Sequence, residues 1–136
     1  MGEAAGLMYN PSSTLPNTLH ALQVTEAARD AGLHDPVHTR LMHAYWSEGR
    51  DLGDDEVLLG LVTEAGLDRA EAADAIAEGR YRDRVVASTH EANRIGINAI
   101  PAFVLGRRLL VLGAQPEEAF ERAVAQLSQE APAAGD

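Results

Sequence analysis

The sequence predicts a mainly α-helical chain with one small β-hairpin near its C-terminal end. Three observations carry this. Apolar residues recur at helical spacing in five stretches between Asn17 and Ile95, each bounded by Gly, Asp or Pro. The period then changes: two short apolar runs flank Gly106-Arg107. Pro116 followed by Glu117 and Glu118 then opens a last helical stretch.

The first helix is predicted from the cap candidate Asn17 to Gly32, with Leu19, Leu22, Ala27 and Ala31 near one face. Asp35-Pro36 reads as cap and first helical position of the second, which carries Val37, Leu41, Met42, Ala44 and Tyr45 and stops at Gly49. Asp54 opens the third, with Val57, Leu58, Leu61 and Val62, ended by Gly66. Asp68 with Glu71 resembles a capping box and opens a short fourth helix that reaches Gly79. A fifth runs from about Tyr81 to Ile95, closed by Gly96, with Val85, Val86, Thr89, Ala92 and Ile95 as its buried candidates. Ala102–Leu105 and Arg108–Val111 read as strands joined by a two-residue Gly106-Arg107 turn, Gly supplying the positive φ. The last helix is expected to reach about Gln129, with Ala119, Phe120, Ala123, Val124 and Leu127 on its core face. Residues 1–16 are expected to be a loop lead-in and 131–136 a frayed tail.

Composition narrows the function. A chain of 136 residues is expected to form one domain, and six aromatic residues leave the core to Leu, Val, Ile and Ala. The net charge of -10 disfavours nucleic acid and anionic membrane surfaces, which need clustered cations. All 11 basic residues are Arg, which reads as codon bias. The absence of cysteine removes disulfides, thiol nucleophiles, thiolate metal sites and dithiol redox couples from the chain. No leader pattern and no membrane-length apolar run is found, so the cytoplasm is the expected compartment.

The polar candidates have bland explanations. His34 and His38 are four residues apart, but with the cap placed at Asp35 the helical spacing is broken, and no HExxH motif occurs. His20, His43 and His90 are scattered and read as surface or packing residues. Tyr45-Trp46 at helical spacing reads as core before ligand wall. Asp51–Glu56 lacks the alternating ligands of a calcium loop and reads as a loop plus helix cap. Arg80, Arg82 and Arg84 read as a solvated face. No catalytic residue, metal site or cofactor site is expected from these patterns.

The hairpin poses a physical problem. Phe103, Val104, Leu105, Leu109, Leu110 and Val111 leave almost no polar face, and a lone two-stranded ribbon is marginal in water. Such strands call for cover on both faces and pairing at an edge, yet no other convincing strand is legible.

Four segments bear on this. Gly96-Ile97-Asn98-Ala99-Ile100-Pro101-Ala102-Phe103-Val104 resembles the G-V-x-G-V-P-x-F-V stretch of DsbA-like thioredoxin folds. Gly113-Ala114-Gln115-Pro116-Glu117 resembles the SGAQP element of that family's FrnE-type branch. Asn10-Pro11 with Pro16-Asn17 resembles the lead-in to the family's helical insertion, and Leu41–Leu52 resembles its L-x-x-A-Y-F-x-E-G-x-D-I stretch. The match spans about residues 7–127, in the family's order.

The resemblance implies a helical insertion over residues 17–96 and a closing ββα motif over 97–130. The family's N-terminal βαβ motif, with its CxxC pair, has no counterpart in the chain. It further implies that Pro101, after Ile100, is the family's cis-proline, whose preceding residue pairs with substrate; a cis Ile100-Pro101 bond is expected. The function it implies is a truncated dithiol–disulfide oxidoreductase, redox-inactive by itself because the thiolate nucleophile is absent. One alternative is a binding or assembly module whose sheet is completed by a second copy or a partner strand. Another is a glutathione-dependent isomerase-like protein, although the glutathione-activating residue of that branch lies in the absent motif. A reading frame starting upstream of Met1, with an in-frame CxxC, would restore a conventional oxidoreductase.

Overall fold

The computed structural model describes residues 3–10, 13 and 15–130. The calls on Pro11 and on the tail 131–136 lie outside these. The chain divides into two compact units, Met1–Ser88 and Thr89–Asp136.

Unit 1 is built on helices. A 3-10 turn at Glu3–Ala5 precedes α1 (Leu19–Asp30), α2 (His34–Trp46), α3 (Asp55–Glu64), α4 (Arg69–Ala77) and the start of α5 (Arg82–Arg94). α1 lies against α2 and α4, and α3 packs against the same two helices, which closes a four-helix ring. Ala21, Val24 and Ala28 of α1, Val37, Leu41 and Ala44 of α2, Leu58, Leu61 and Val62 of α3, Leu67, and Ala72 of α4 form the core. Each fully buried Leu removes enough apolar surface from water to stabilise by roughly 1.5–3 kcal/mol.

The best-read element is α3. Asp54 is its cap, and its carboxylate accepts hydrogen bonds from the backbone N–H groups of Glu56 and Val57. Gly66, at φ +101°, ends it in a conformation costly for other residues. Asp68 likewise accepts from Glu71 N–H at 2.9 Å and starts α4.

Other expectations are corrected. On α1 the buried face is Ala21, Gln23, Val24, Ala27 and Ala28, while Leu22 and Ala31 are exposed. The small residues fit the close approach of α2 and α4, and the larger Leu22 is turned outward. The cap of α1 is Thr18, although Asn17 Oδ1 accepts from Leu19 N–H at 3.0 Å. α2 starts at His34 with Leu33 as its cap, two residues before the expected first helical position Pro36. Met42 is exposed on it. Gln23 is 2% exposed, and its Oε1 has no hydrogen-bond partner among the described residues.

The entry into α5 is tied to α1. Tyr81 packs with Ala27 and Ala75, and the Arg84 guanidinium lies 5.0 Å from its ring centroid. Arg84 also donates to both carboxylate oxygens of Asp30 (2.9 and 3.1 Å) and to Glu26 (3.2 Å). The expected burial of α5 is not observed: none of its residues is buried, and Val86 and Ile95 are exposed. The helical period marks an apolar stripe of which Val85 and Ala92 are half-buried and the rest exposed.

Unit 2 holds β1 (Ala102–Leu105), β2 (Leu109–Leu112) and α6 (Glu117–Glu130). The strands pair antiparallel, with Ala102 opposite Leu112 and Leu105 opposite Leu109. The loop is therefore Gly106-Arg107-Arg108, three residues and not the expected two, and β2 begins at Leu109 instead of Arg108. Both Gly106 and Arg107 have positive φ, and Arg108 N–H donates to Leu105 O at 3.0 Å. The shift by one residue exchanges the faces of every β2 side chain relative to the two-residue register. α6 lies against β2, Phe120 meets Phe103 edge-on at 4.9 Å, and Leu127 borders Gly106. Ala123 is buried as expected, whereas Val124 is exposed.

Two predictions follow from unit 1. Leu58→Ala should lower its stability by about 2–5 kcal/mol and Asp54→Ala by about 1 kcal/mol, measured by urea unfolding followed by far-UV circular dichroism. The second concerns pH. The hydrogen bond from Arg84, with a further one from Tyr81, holds the Asp30 carboxyl below its ordinary value. Asp30 thus binds a proton less readily folded than unfolded. Its contribution is complete above the ordinary aspartate value and disappears as pH falls through the lower folded value. Melting temperatures should drop as pH is taken from 5 towards 2 (about the usual acid window), and Asp30→Asn should make that drop shallower.

Candidate functional site

The site begins where α5 ends. Gly96, at φ +92°, terminates α5 with its N–H on Asn93 O, and Ile97 N–H donates to Ala92 O. The chain then runs through Asn98 and Ala99 to Ile100-Pro101, the bond between which is cis, as the sequence led one to expect. Pro101 O accepts from Gly113 N–H at 2.7 Å, which fastens the loop across the hairpin to the residue after β2. Gln115 Nε2 donates to Leu112 O at 2.8 Å and holds the other side of that corner. The Gly113-Ala114-Gln115-Pro116 segment thus acts as a clasp between β2 and α6.

The held loop presents an apolar, uncharged surface. Ile100 is 91% exposed, and Val104 (46%) and Phe103 (40%) follow it on β1. The sheet contains β1 and β2 alone among the described residues, so β1 has a strand neighbour on one side only. No titratable group lies between Ile95 and Gly106. The nearest charge N-terminal to the loop, Arg94, is engaged by Glu91 on its own helix at 2.7 and 2.8 Å. Along β2 and α6 runs a cleft of about 480 Å³, with Arg122 and Gln126 beside Leu109, Leu112 and Ala123.

Such an arrangement offers backbone hydrogen bonds, shape and apolar contact. It holds no nucleophile and no acid–base pair, and with no cysteine in the chain it offers no dithiol couple.

The other polar candidates are dispersed. His20 Nδ1 lies 2.7 Å from Asp55 Oδ1, and His43 Nδ1 lies 3.0 Å from Glu48 Oε1. Arg40 donates to Glu48 and Glu64, and its hydrogen bonds pull the Glu48 carboxyl below its ordinary value. The Asp51–Glu56 carboxylates are taken up locally: Asp51 accepts from Gly53 N–H, Asp54 caps α3, and Glu56 accepts from Arg69. Arg80 and Arg84 are engaged by Glu78 and by Glu26 with Asp30. Tyr45 is half-buried and meets Trp46 edge-on at 4.7 Å, while Trp46 is exposed and stacks with Tyr9 at 5.7 Å.

That stack belongs to a feature the sequence did not disclose. The lead-in is fastened to the end of α2 by Asn10 N–H donating to Trp46 O at 2.7 Å and Ser47 Oγ donating to Met8 O at 2.8 Å. The one available signal was the resemblance of Asn10-Pro11 to a family lead-in. Among the described residues no helix is long and apolar enough to cross a membrane.

Comparison with known proteins agrees with this geometry. The chain is 28% identical over 127 residues to the uncharacterized protein YwbO of Bacillus subtilis (strain 168), covering 91% of the chain and 63% of YwbO. The structure superposes on a crystal structure described as a probable DsbA oxidoreductase of Streptomyces coelicolor with a TM-score of 0.84 at 30% identity, over 99% of this chain and 59% of that one. The chain therefore spans less than two thirds of either relative. The DSBA-like thioredoxin domain family matches residues 1–125. With that match, the helical unit and the clasped hairpin find their common explanation: the chain belongs to the DsbA-like thioredoxin domain family.

Proposed function

We propose that this chain is the helical insertion (17–96) and closing ββα portion (97–130) of a FrnE-type dithiol–disulfide oxidoreductase, unable to exchange disulfides by itself. The carrying observation is a family member without a single cysteine. Disulfide exchange requires a thiolate to attack sulfur, and no other side chain here substitutes for it. What the chain retains is the substrate-facing loop: Ile100 and Pro101 are assigned the backbone pairing with an extended substrate segment, supported by the exposure of Ile100 and the open edge of β1. The cytoplasm, expected from the sequence, is part of the proposal. In an insulin-reduction assay with dithiothreitol, the chain should turn over no faster than buffer. Turnover above buffer from the cysteine-free chain would overturn this reading.

A second reading is favoured by β1 itself. Ala102–Leu105 carries no charge, no proline and no bulge, the devices that keep an edge strand from pairing. On this reading a second copy completes the sheet through a two-fold β1–β1 contact, making the chain an assembly module. Light scattering at tens of micromolar should then report twice the 14.5 kDa chain mass. Val104→Lys should return it to the monomer; a monomer at that concentration for the unaltered chain removes the reading.

A further inference from the structure

The start of α2 invalidates the ground on which its histidines are dismissed from sequence. His34 and His38 both lie inside α2, one turn apart, with ring centroids 5.6 Å apart and planes inclined by 16°. Residues four apart share a helix face. Here Val37, fully buried, fixes which way that face points, and Pro36 presets the first turn.

His34 Nδ1 lies 2.9 Å from Asp35 Oδ1. An ionised carboxylate accepts only, so this contact calls for the proton on Nδ1 and leaves the Nε2 lone pair of His34 to coordinate. A carboxylate behind the distal nitrogen is the arrangement that orients a ligating imidazole. His38 is exposed, and no hydrogen bond holds its ring among the described residues. Its side chain is therefore available to turn its own nitrogen towards the same point.

We propose that His34 and His38 form a two-imidazole surface site for a first-row transition-metal ion, with Asp35 as its positioning residue. Among the described residues no group of three or more His, Asp or Glu side chains is arranged for a metal, so the remaining coordination positions belong to water. Two neutral imidazoles select borderline ions, in the order Cu²⁺ above Ni²⁺ and Zn²⁺. Ca²⁺ and Mg²⁺, which require several oxygen ligands, are rejected. The positive end of α2 opposes a cation within the first turn. The formal charge of Asp35 and the chain's net charge of -10 act in the other direction.

The test is calorimetric titration of the intact chain with cupric, nickel and zinc chloride in a non-coordinating buffer. One Cu²⁺ per chain is expected at this site, with nickel and zinc weaker. His34→Ala and His38→Ala should each weaken it at least about tenfold, and Asp35→Ala by up to about tenfold. His90→Ala should leave it unchanged. His34 is half-buried and Asp35 and His38 are exposed, and circular dichroism checks that each variant is folded. Electron paramagnetic resonance of the copper form should show two coordinated nitrogens, falling to one in either histidine variant. Absence of copper binding, or binding equally tight in His38→Ala, would overturn the proposal.

Discussion

A strand in water needs partners for two rows of backbone groups, and β1 finds a strand partner for one. This requirement governs unit 2. The polar groups on the inner edge of Ala102–Leu105 are met by β2, and Pro101 O is met by Gly113 N–H. The hairpin turn and the cover given by α6 hold this pair in place. Among the described residues no strand pairs with the outer edge of β1. Unpaired N–H and C=O groups in an apolar setting each cost on the order of a hydrogen bond, which is why the proposed strand or substrate pairing is placed at that edge.

Unit 1 solves a different problem with a different material. It has few aromatic residues, so its helices approach closely over Ala21, Ala28, Ala44 and Ala72, and Leu and Val of α3 fill the space between. Its charges sit outside this core in local pairs, of which Arg84 with Asp30 and Glu26 ties the first turn of α5 to α1. Exposed pairs of this kind contribute little individually. What they do here is join the first turn of α5 to α1 within unit 1.

Legibility in the sequence followed the strength of local signals. Asp54 before an apolar run and Gly66 after it bracketed α3 closely, because both act through their own backbone neighbours. The Gly96-to-Val104 stretch likewise exposed the loop and its Ile100-Pro101 bond. Where two local signals competed, the reading erred. Asp35-Pro36 resembles a cap and first residue, but the Asp35 carboxylate is engaged by His34 and the helix is entered earlier. Gly106-Arg107 satisfies the dihedral demand of a two-residue turn, yet the pairing includes Arg108 in the loop. Burial was the least legible property. Leu22 outranks Ala28 in hydrophobicity, yet Ala28 lies on the buried face of α1 and Leu22 on the exposed one. On α5 and α6 the period identified an apolar stripe without telling whether the chain covers it.

The amide of Gln23 bears on how the helical core tolerates change. It sits on the inward face of α1 at 2% exposure, and among the described residues no donor reaches its oxygen. A buried acceptor left in that state subtracts about 1–3 kcal/mol from what an apolar side chain of like size would give. Among the described buried residues Gln23 is the one polar side chain in an otherwise apolar core. An apolar replacement there is where strengthening of the helical unit can begin.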